Sequence, residues 1–244
     1  MNHLFGVRFR LVAGMAAAAV VVSVAASAQT IPTGQGTQTS PRKPPTMEDV
    51  HKLHADPKAY IAALDDPARD EYQKPHDVIM ALGLKGGERI ADIGAGSGYF
   101  TMRFARHVGD TGRVYAIDVS PDMILHLNQQ VRAAAVDNVR TLLVPADDPL
   151  LADASVDLVF ICDTWHHIAN HPPYLEKLRA ALKPGGRVVI IDFQKYDIPV
   201  GPPAEMKAPR EGVVAEFEKA GFRLAASPNI LPYQYVLVFT PKAR

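Results

Sequence analysis

The residues best suited to chemistry sit in the run Asp92-Ile93-Gly94-Ala95-Gly96-Ser97-Gly98. Glycines at alternate positions let a backbone turn sharply and approach a ligand closely. A helix starting just behind them offers unpaired N–H groups to a polar or anionic ligand group. Further on, the run Ala116-Ile117-Asp118 ends in a carboxylate, with Val119 beside it. An acid there accepts two hydrogen bonds from a ribose diol, or else is a plain helix cap. The dinucleotide fingerprint G-x-G-x-x-G needs a glycine where Tyr99 stands, and no Gly-Lys-Ser/Thr follows to make a phosphate loop. A second cluster is Asp163-Thr164-Trp165-His166-His167. His166 or His167 is a candidate base near neutral pH, with Asp163 beside them. The competing reading is that one histidine packs against a ligand and the other caps the loop. His166, His167 and His171 have no partner carboxylate at a settled metal-ligand spacing, so no metal is assigned.

These groups need elements to hold them. From Met47 to Leu84 the apolar period is helical, with Val50, Leu53 and His54 on one face and Pro57 and Pro67 each suited to a first helical turn. Another helix spans Pro75 to Leu82, closed by Gly86-Gly87. Beyond it, apolar strands (89–93, 113–117, 139–144, 156–162, 187–193, 222–226 and 235–239) alternate with helical segments (100–108, 121–135, 173–182 and 213–220). Ser120-Pro121 opens the second of those helices as N-cap and first-turn proline. Strands separated by helices imply right-handed crossovers and a mostly parallel sheet buried on both faces. Ligands in such α/β folds bind beyond the carboxyl ends of the strands. That places the site after Ile93, Ile117, Cys162 and Phe193.

Composition narrows the partners. The chain has 244 residues, 48% of them hydrophobic, which suits one α/β domain. Lys plus Arg and Asp plus Glu are equal at 26 each, so nothing calls for nucleic acid or an anionic membrane as partner. The single cysteine, Cys162, supports neither an intrachain disulfide nor a cysteine metal site. Residues 1–28 carry Arg8 and Arg10, an apolar stretch from Leu11 to Val24, and the small-x-small signal Ala26-Ser27-Ala28. This is the pattern of an export signal cleaved after Ala28, giving a periplasmic or secreted protein without stable membrane insertion; the alternative is an uncleaved signal that anchors the chain. Residues 29–45 are polar and aperiodic and read as a disordered linker. The domain is expected over 46–244, with a helical cap at 46–85 and the core at 86–244.

The motifs together carry a family resemblance. Asp92 to Gly98 resembles the first motif of class I S-adenosylmethionine-dependent methyltransferases, and Ala116-Ile117-Asp118 the second. Asp157-Leu158-Val159-Phe160 looks like the family's fourth-strand motif. Ala181-Leu182-Lys183-Pro184-Gly185-Gly186-Arg187 resembles the turn before its fifth strand. The set covers roughly residues 75–240 and is most similar to the small-molecule branch that includes ubiquinone and menaquinone methyltransferases. The resemblance implies a Rossmann-like fold with a seven-stranded sheet in the order 3-2-1-4-5-7-6. It implies S-adenosyl-L-methionine as cofactor and a small-molecule methyl acceptor. It also implies that Gly94, Ala95, Gly96 and Gly98 wrap the methionine and ribose, that Asp92 orders the loop or the methionine amino group, and that Asp118 holds the ribose hydroxyls. Asp147 or Asp148 would lie by the adenine, although the family's acid aligns with Pro145. The rival readings are a non-catalytic protein of the same fold that binds the cofactor, and an NAD-dependent oxidoreductase, which Tyr99 disfavours.

Overall fold

The computed structural model describes residues 45–243. The export signal and all but the last residue of the linker lie outside the described residues. Seven strands form the sheet: β1 (Arg89–Ile93), β2 (Arg113–Asp118), β3 (Val139–Leu143), β4 (Val156–Cys162), β5 (Leu182–Phe193), β6 (Phe222–Ala226) and β7 (Gln234–Pro241). Their order is β3-β2-β1-β4-β5-β7-β6. The first five run parallel, while β7 is antiparallel to β5 and to β6. This is the order that the resemblance implied. The connections after β1 and β4 lead to helices on opposite faces of the sheet, so a crevice opens at the carboxyl edge.

Burial explains the strand composition. Val188 to Ile191 are all 0% exposed, as a strand covered on both faces requires. One face packs Val159, Ile161, Val188 and Ile190 against α7 (His171–Ala181) and α8 (Arg210–Lys219) through Leu178 and Phe217. The other packs Ile90, Leu158 and Phe160 against α4 (Pro75–Leu82), α5 (Thr101–Val108) and α6 (Pro121–Ala133) through Val78, Phe104 and Leu127.

The N-terminal region builds the cap. Thr46 closes a capping box with Asp49 over α1 (Met47–Ala55), and Asp56 caps α2 (Pro57–Leu64), whose first residue is Pro57. Pro67 opens a single 3₁₀ turn that leads into the short α3 (Asp70–Gln73). Several boundaries differ from the sequence reading. Helix α4 stops at Gly83, in the left-handed conformation, rather than at Gly86-Gly87. The glycine pays no Cβ penalty there, so the helix closes at the first position that allows it. Strand β5 begins at Leu182, because Val156 pairs with Leu182 before the ladder shifts register at Leu158. A 3₁₀ turn over Trp165–His167, absent from the sequence reading, follows β4. Among the described residues no helix is long and apolar enough to cross a membrane.

Candidate active site

A cavity of about 810 Å³ opens at the carboxyl ends of β1, β2, β4 and β5 beneath the cap. That lies near the upper end of the ~300–1,000 Å³ usual for ligand sites, enough for two ligands side by side. Its two ends are built differently.

At one end the backbone does most of the work. Gly94 N and Ala95 N both donate to Ile117 O, at 2.8 and 3.0 Å, which ties the loop to β2. Gly94 has φ +70, and a Cβ there would lie 2.2 Å from Thr164 Oγ1, so only glycine lets the loops after β1 and β4 meet. Gly96 N donates to Asp118 Oδ2 at 2.8 Å and Ser120 N to Asp118 Oδ1 at 2.9 Å. The carboxylate is thus held at the cavity wall, with further lone pairs available. Val119 beside it is 57% exposed and presents an apolar face to the same end. The Ser97 hydroxyl also lines the cavity, buried and without a hydrogen-bond partner among the described residues. Asp92 is buried under the loop and accepts from Thr101 Oγ1 at 2.6 Å. Burial pushes its carboxyl up to about 7, against the bond from Thr101. An orphaned hydroxyl, an anchored carboxylate and an exposed apolar side chain fit the amino acid, ribose and base of a nucleoside cofactor in turn.

Three residues expected here lie elsewhere. Gly98 does not line the cavity; its missing Cβ makes room for Leu127 of α6, 2.5 Å from where that atom would stand. Asp147 is exposed on the turn after β3, and Asp148 pairs with Lys177 of α7 at 2.9 Å. That pairing holds the Asp148 carboxyl below its usual range. Val144, Pro145 and Ala146 occupy the cavity wall at that point instead.

The other end is made of side chains from distant segments. Asp163 turns the chain sharply at φ +52, and its N–H bonds Ile191 O at 2.8 Å. Trp165, fully buried, donates to Glu216 Oε2 at 3.3 Å and stacks on His171. With Trp165 anchored in the core, the turn presents His166 and His167 to the cavity. His166 Nδ1 lies 3.0 Å from Asp192 Oδ2 at the end of β5. His167 is pushed down to about 4 by burial and by the imidazoles of His166 and His54. Asp163 accepts from Gln234 Nε2 of β7 at 2.7 Å, and Gln73 donates to Cys162 Sγ at 3.0 Å. Burial, with Asp192 nearby, holds the Asp163 carboxyl well above the carboxylate range. The cap supplies Leu53, His54, Tyr60, Arg69 and Tyr72. Arg69 and Arg103 sandwich the Tyr99 ring at 4.3 and 4.1 Å from its centre, and the Tyr99 hydroxyl donates to Asp70. Tyr99 therefore latches the cap to the core.

Sequence reasoning missed Asp192, Gln234 and Tyr60. Only Asp192 had a signal: like Asp92 and Asp118, it is an acid near the end of an apolar strand whose tip was already expected to face the ligand.

A doubly wound sheet in this order, with a glycine loop and an anchored acid at its switch point, defines a nucleoside-cofactor-binding α/β fold. The chain belongs to the methyltransferase-domain family, whose model matches residues 84–222. S-adenosyl-L-methionine is the cofactor that this membership implies, and the donor set at the first end of the cavity fits it. A SAM-dependent methyltransferase from Aquifex aeolicus is 32% identical with a TM-score of 0.72, over 75% of this chain and 97% of that one. The ubiquinone/menaquinone biosynthesis C-methyltransferase UbiE of Hydrogenovibrio crunogenus is 29% identical over 52% of this chain and 50% of that protein. The chain thus spans about half the length of the curated relatives it matches. The structure of the [4+2]-cyclase SpnF, at 21% identity and a TM-score of 0.53, shares the fold alone.

Proposed function

We propose that the chain transfers a methyl group from S-adenosyl-L-methionine to a small-molecule acceptor. The observation that carries this is the Asp118 carboxylate, fixed by Gly96 N and Ser120 N at the wall of a cavity large enough for both partners. When bound, the cofactor supplies an electrophilic methyl whose sulfonium sulfur keeps the electron pair of the broken bond and leaves as a neutral thioether. Gly94, Ala95 and Gly96 shape the backbone against its amino-acid end, the Ser97 hydroxyl finds a partner there, and Asp118 accepts from the ribose diol. Val119 and Ala146 cover the base. The cap excludes water and brings Tyr60 and Tyr72 over the acceptor end. Calorimetric titration of S-adenosyl-L-methionine into the purified chain gives saturable 1:1 binding. Asp118→Ala weakens it tenfold or more, about 1.4 kcal/mol, by losing charge-assisted bonds. A folded wild type that binds no cofactor overturns the reading.

The fold alone does not require turnover, since one fold hosts many chemistries. Production of S-adenosylhomocysteine with an acceptor separates an enzyme from a protein that merely holds the cofactor.

We also propose that the chain is exported and cleaved after Ala28, on the basic, apolar and small-residue order of residues 1–28. Mass spectrometry of the protein from its native host then finds Gln29 as the N-terminus in the exported fraction. Intact residues 1–28 on a soluble cytoplasmic protein overturn this. Intact residues 1–28 on a membrane fraction mark an uncleaved anchor.

A further inference from the structure

Residues 194–209 join β5 to α8 as a strap along the cavity, and the strap is tied down along its length. Gln194 N donates to Tyr233 O at 2.9 Å, and the Tyr235 hydroxyl donates to Ala208 O at 3.1 Å. Between those points Lys195 Nζ donates to Lys207 O and Lys207 Nζ to Tyr196 O, each at 2.8 Å. Lys207 is only 2% exposed, and Ile198 is buried as well. Pro199, Pro202, Pro203 and Pro209 further restrict the backbone. The strap is therefore a fixed wall of the cavity.

That wall holds one ring in place. Phe193, the last residue of β5, is 4% exposed and lines the cavity together with Gly201, Pro202 and Met206 of the strap. Gly201 has φ +75, and a Cβ there would stand 2.6, 2.6 and 2.7 Å from Cε1, Cζ and Cε2 of the ring. Near-equal distances to three atoms of the ring's tip put that missing Cβ over the ring face, so the Gly201 backbone packs against it. Only glycine allows both the conformation and the approach. Tyr72 of α3 meets the same ring at 6.3 Å between centres, and Lys207 Nζ faces it at 6.0 Å. With protein on these sides, the open space left to the ring is the cavity. The mouth lies elsewhere: Pro57, Ala63 and Val119 of the lining are exposed, while Phe193 is buried.

Resting on the methyl-transfer reading, we propose that Phe193, held by Gly201, sets the size limit of the methyl acceptor, and that the acceptor is a compact, ring-bearing molecule whose apolar end stops against the Phe193 ring. The aromatic faces of Phe193 and Tyr72 on the wall suit a ring of the acceptor. Apolar contact favours binding for as long as the acceptor fills space in front of the Phe193 ring. A group reaching further must displace a ring packed on Gly201 and flanked by Tyr72 and Lys207, and overpacking against a fixed wall is unfavourable. Discrimination by such a clash needs no polar contact with the acceptor.

The test uses the full chain saturated with S-adenosylhomocysteine and reads calorimetric affinity for benzyl alcohol and its 4-ethyl, 4-butyl and 4-hexyl homologues. An unobstructed apolar site gains about fourfold per added methylene. The wild type instead gains up to one member of the series and loses roughly tenfold at the next. Phe193→Leu moves that break to a longer chain. Gly201→Ala, which drives the ring into the cavity, moves it to a shorter one. A merely structural role lowers all the affinities together and leaves the break where it is, so opposite shifts in the two variants are the expected signature. Near-UV circular dichroism checks that each variant is folded, and Phe193→Met serves where Phe193→Leu is not. Affinity that climbs through the whole series in the wild type, or a break that neither variant moves, overturns the proposal. Binding of no member of the series overturns the ring-bearing class. A wild type that binds no S-adenosylhomocysteine would sink the methyl-transfer reading, while the break measured on the chain alone still judges Phe193 and Gly201.

Discussion

The two ends of the cavity are held by different kinds of interaction. At the cofactor end the chain offers a tight loop over the buried Asp92, which Thr101 Oγ1 holds, and most of the fixing bonds are donated by the backbone: Gly94 N and Ala95 N to Ile117 O, Gly96 N and Ser120 N to Asp118. At the acceptor end the fixing bonds join side chains far apart in sequence, such as His166 with Asp192, Asp163 with Gln234 and Cys162 with Gln73. The first end is a property of a short sequence and a fold. The second is a property of this chain's particular side chains, and it is where a shared fold acquires separate chemistry.

The comparison breaks most sharply at Gly94. Alanine there must adopt φ +70 and place its Cβ 2.2 Å from Thr164 Oγ1. Left-handed strain of about 1–2 kcal/mol adds to overpacking of about 1–3 kcal/mol. Gly94→Ala therefore lowers unfolding stability by about 2–5 kcal/mol in urea titrations and weakens cofactor binding together with it. Unchanged stability would mean that the two loops can part freely, and that the cofactor end is less preorganised than its bonds imply.

Asp92 gives the next effect, and its sign is opposite to that of an ion-paired acid. Its folded pKa, about 7, lies above the unfolded value of 3.8, so the native state binds more protons over that window. Its contribution to stability is favourable below about pH 4 and is lost as pH rises through 7. Asp92→Asn keeps an acceptor for Thr101 Oγ1 and removes the titration. The variant gains on the wild type as pH rises from 4 to 7, by roughly 2–4 kcal/mol, and the gap is constant above. Urea midpoints at several pH values check this. A pH-independent gap would show that Asp92 is ionised in the fold.

Gln234→Ala tests the acceptor end. It removes the donor to Asp163 Oδ1 and leaves a desolvated acceptor unpaired, at a cost of about 1–3 kcal/mol. Cofactor affinity measured by calorimetry stays within twofold, because the Gln234 amide is not part of the cavity wall. A large loss of affinity would join the two ends into one network.

What could be read from the sequence follows the same division. The sheet order, the glycine loop and Asp118 were legible because local pattern determines them: apolar runs, capped helices, glycines next to an acid. Val156–Cys162 and Phe222–Ala226 were placed to the residue. The 3₁₀ turn at Trp165–His167 was not, since it has no period and exists because Trp165 finds a slot against Glu216 and Phe217. Asp192 looked like one more strand residue until β4 and β5 paired and brought the loop after Cys162 over it. Gln73 and Gln234 are 161 residues apart and meet only through the fold.

The smallest effect is expected where sequence reasoning and geometry part. The family resemblance implied that Asp147 or Asp148, after β3, would lie by the adenine. The turn carries both outward: Asp148 Oδ2 meets Lys177 Nζ at 2.9 Å, and its Oδ1 accepts from Leu150 N at 2.8 Å. Lys177 also donates to Asp147 O at 2.9 Å, so one lysine pins the turn to α7. The pair is partly exposed and therefore contributes at most about 1 kcal/mol. Asp147→Ala leaves cofactor affinity unchanged. Asp148→Ala also leaves it within twofold while costing a few tenths to 1 kcal/mol of stability. A tenfold loss of affinity in either variant would mean that the turn swings inward when the adenine binds. Val144, Pro145 and Ala146 would then be a gate rather than the wall, and the cofactor end would depend on side chains as much as the acceptor end does.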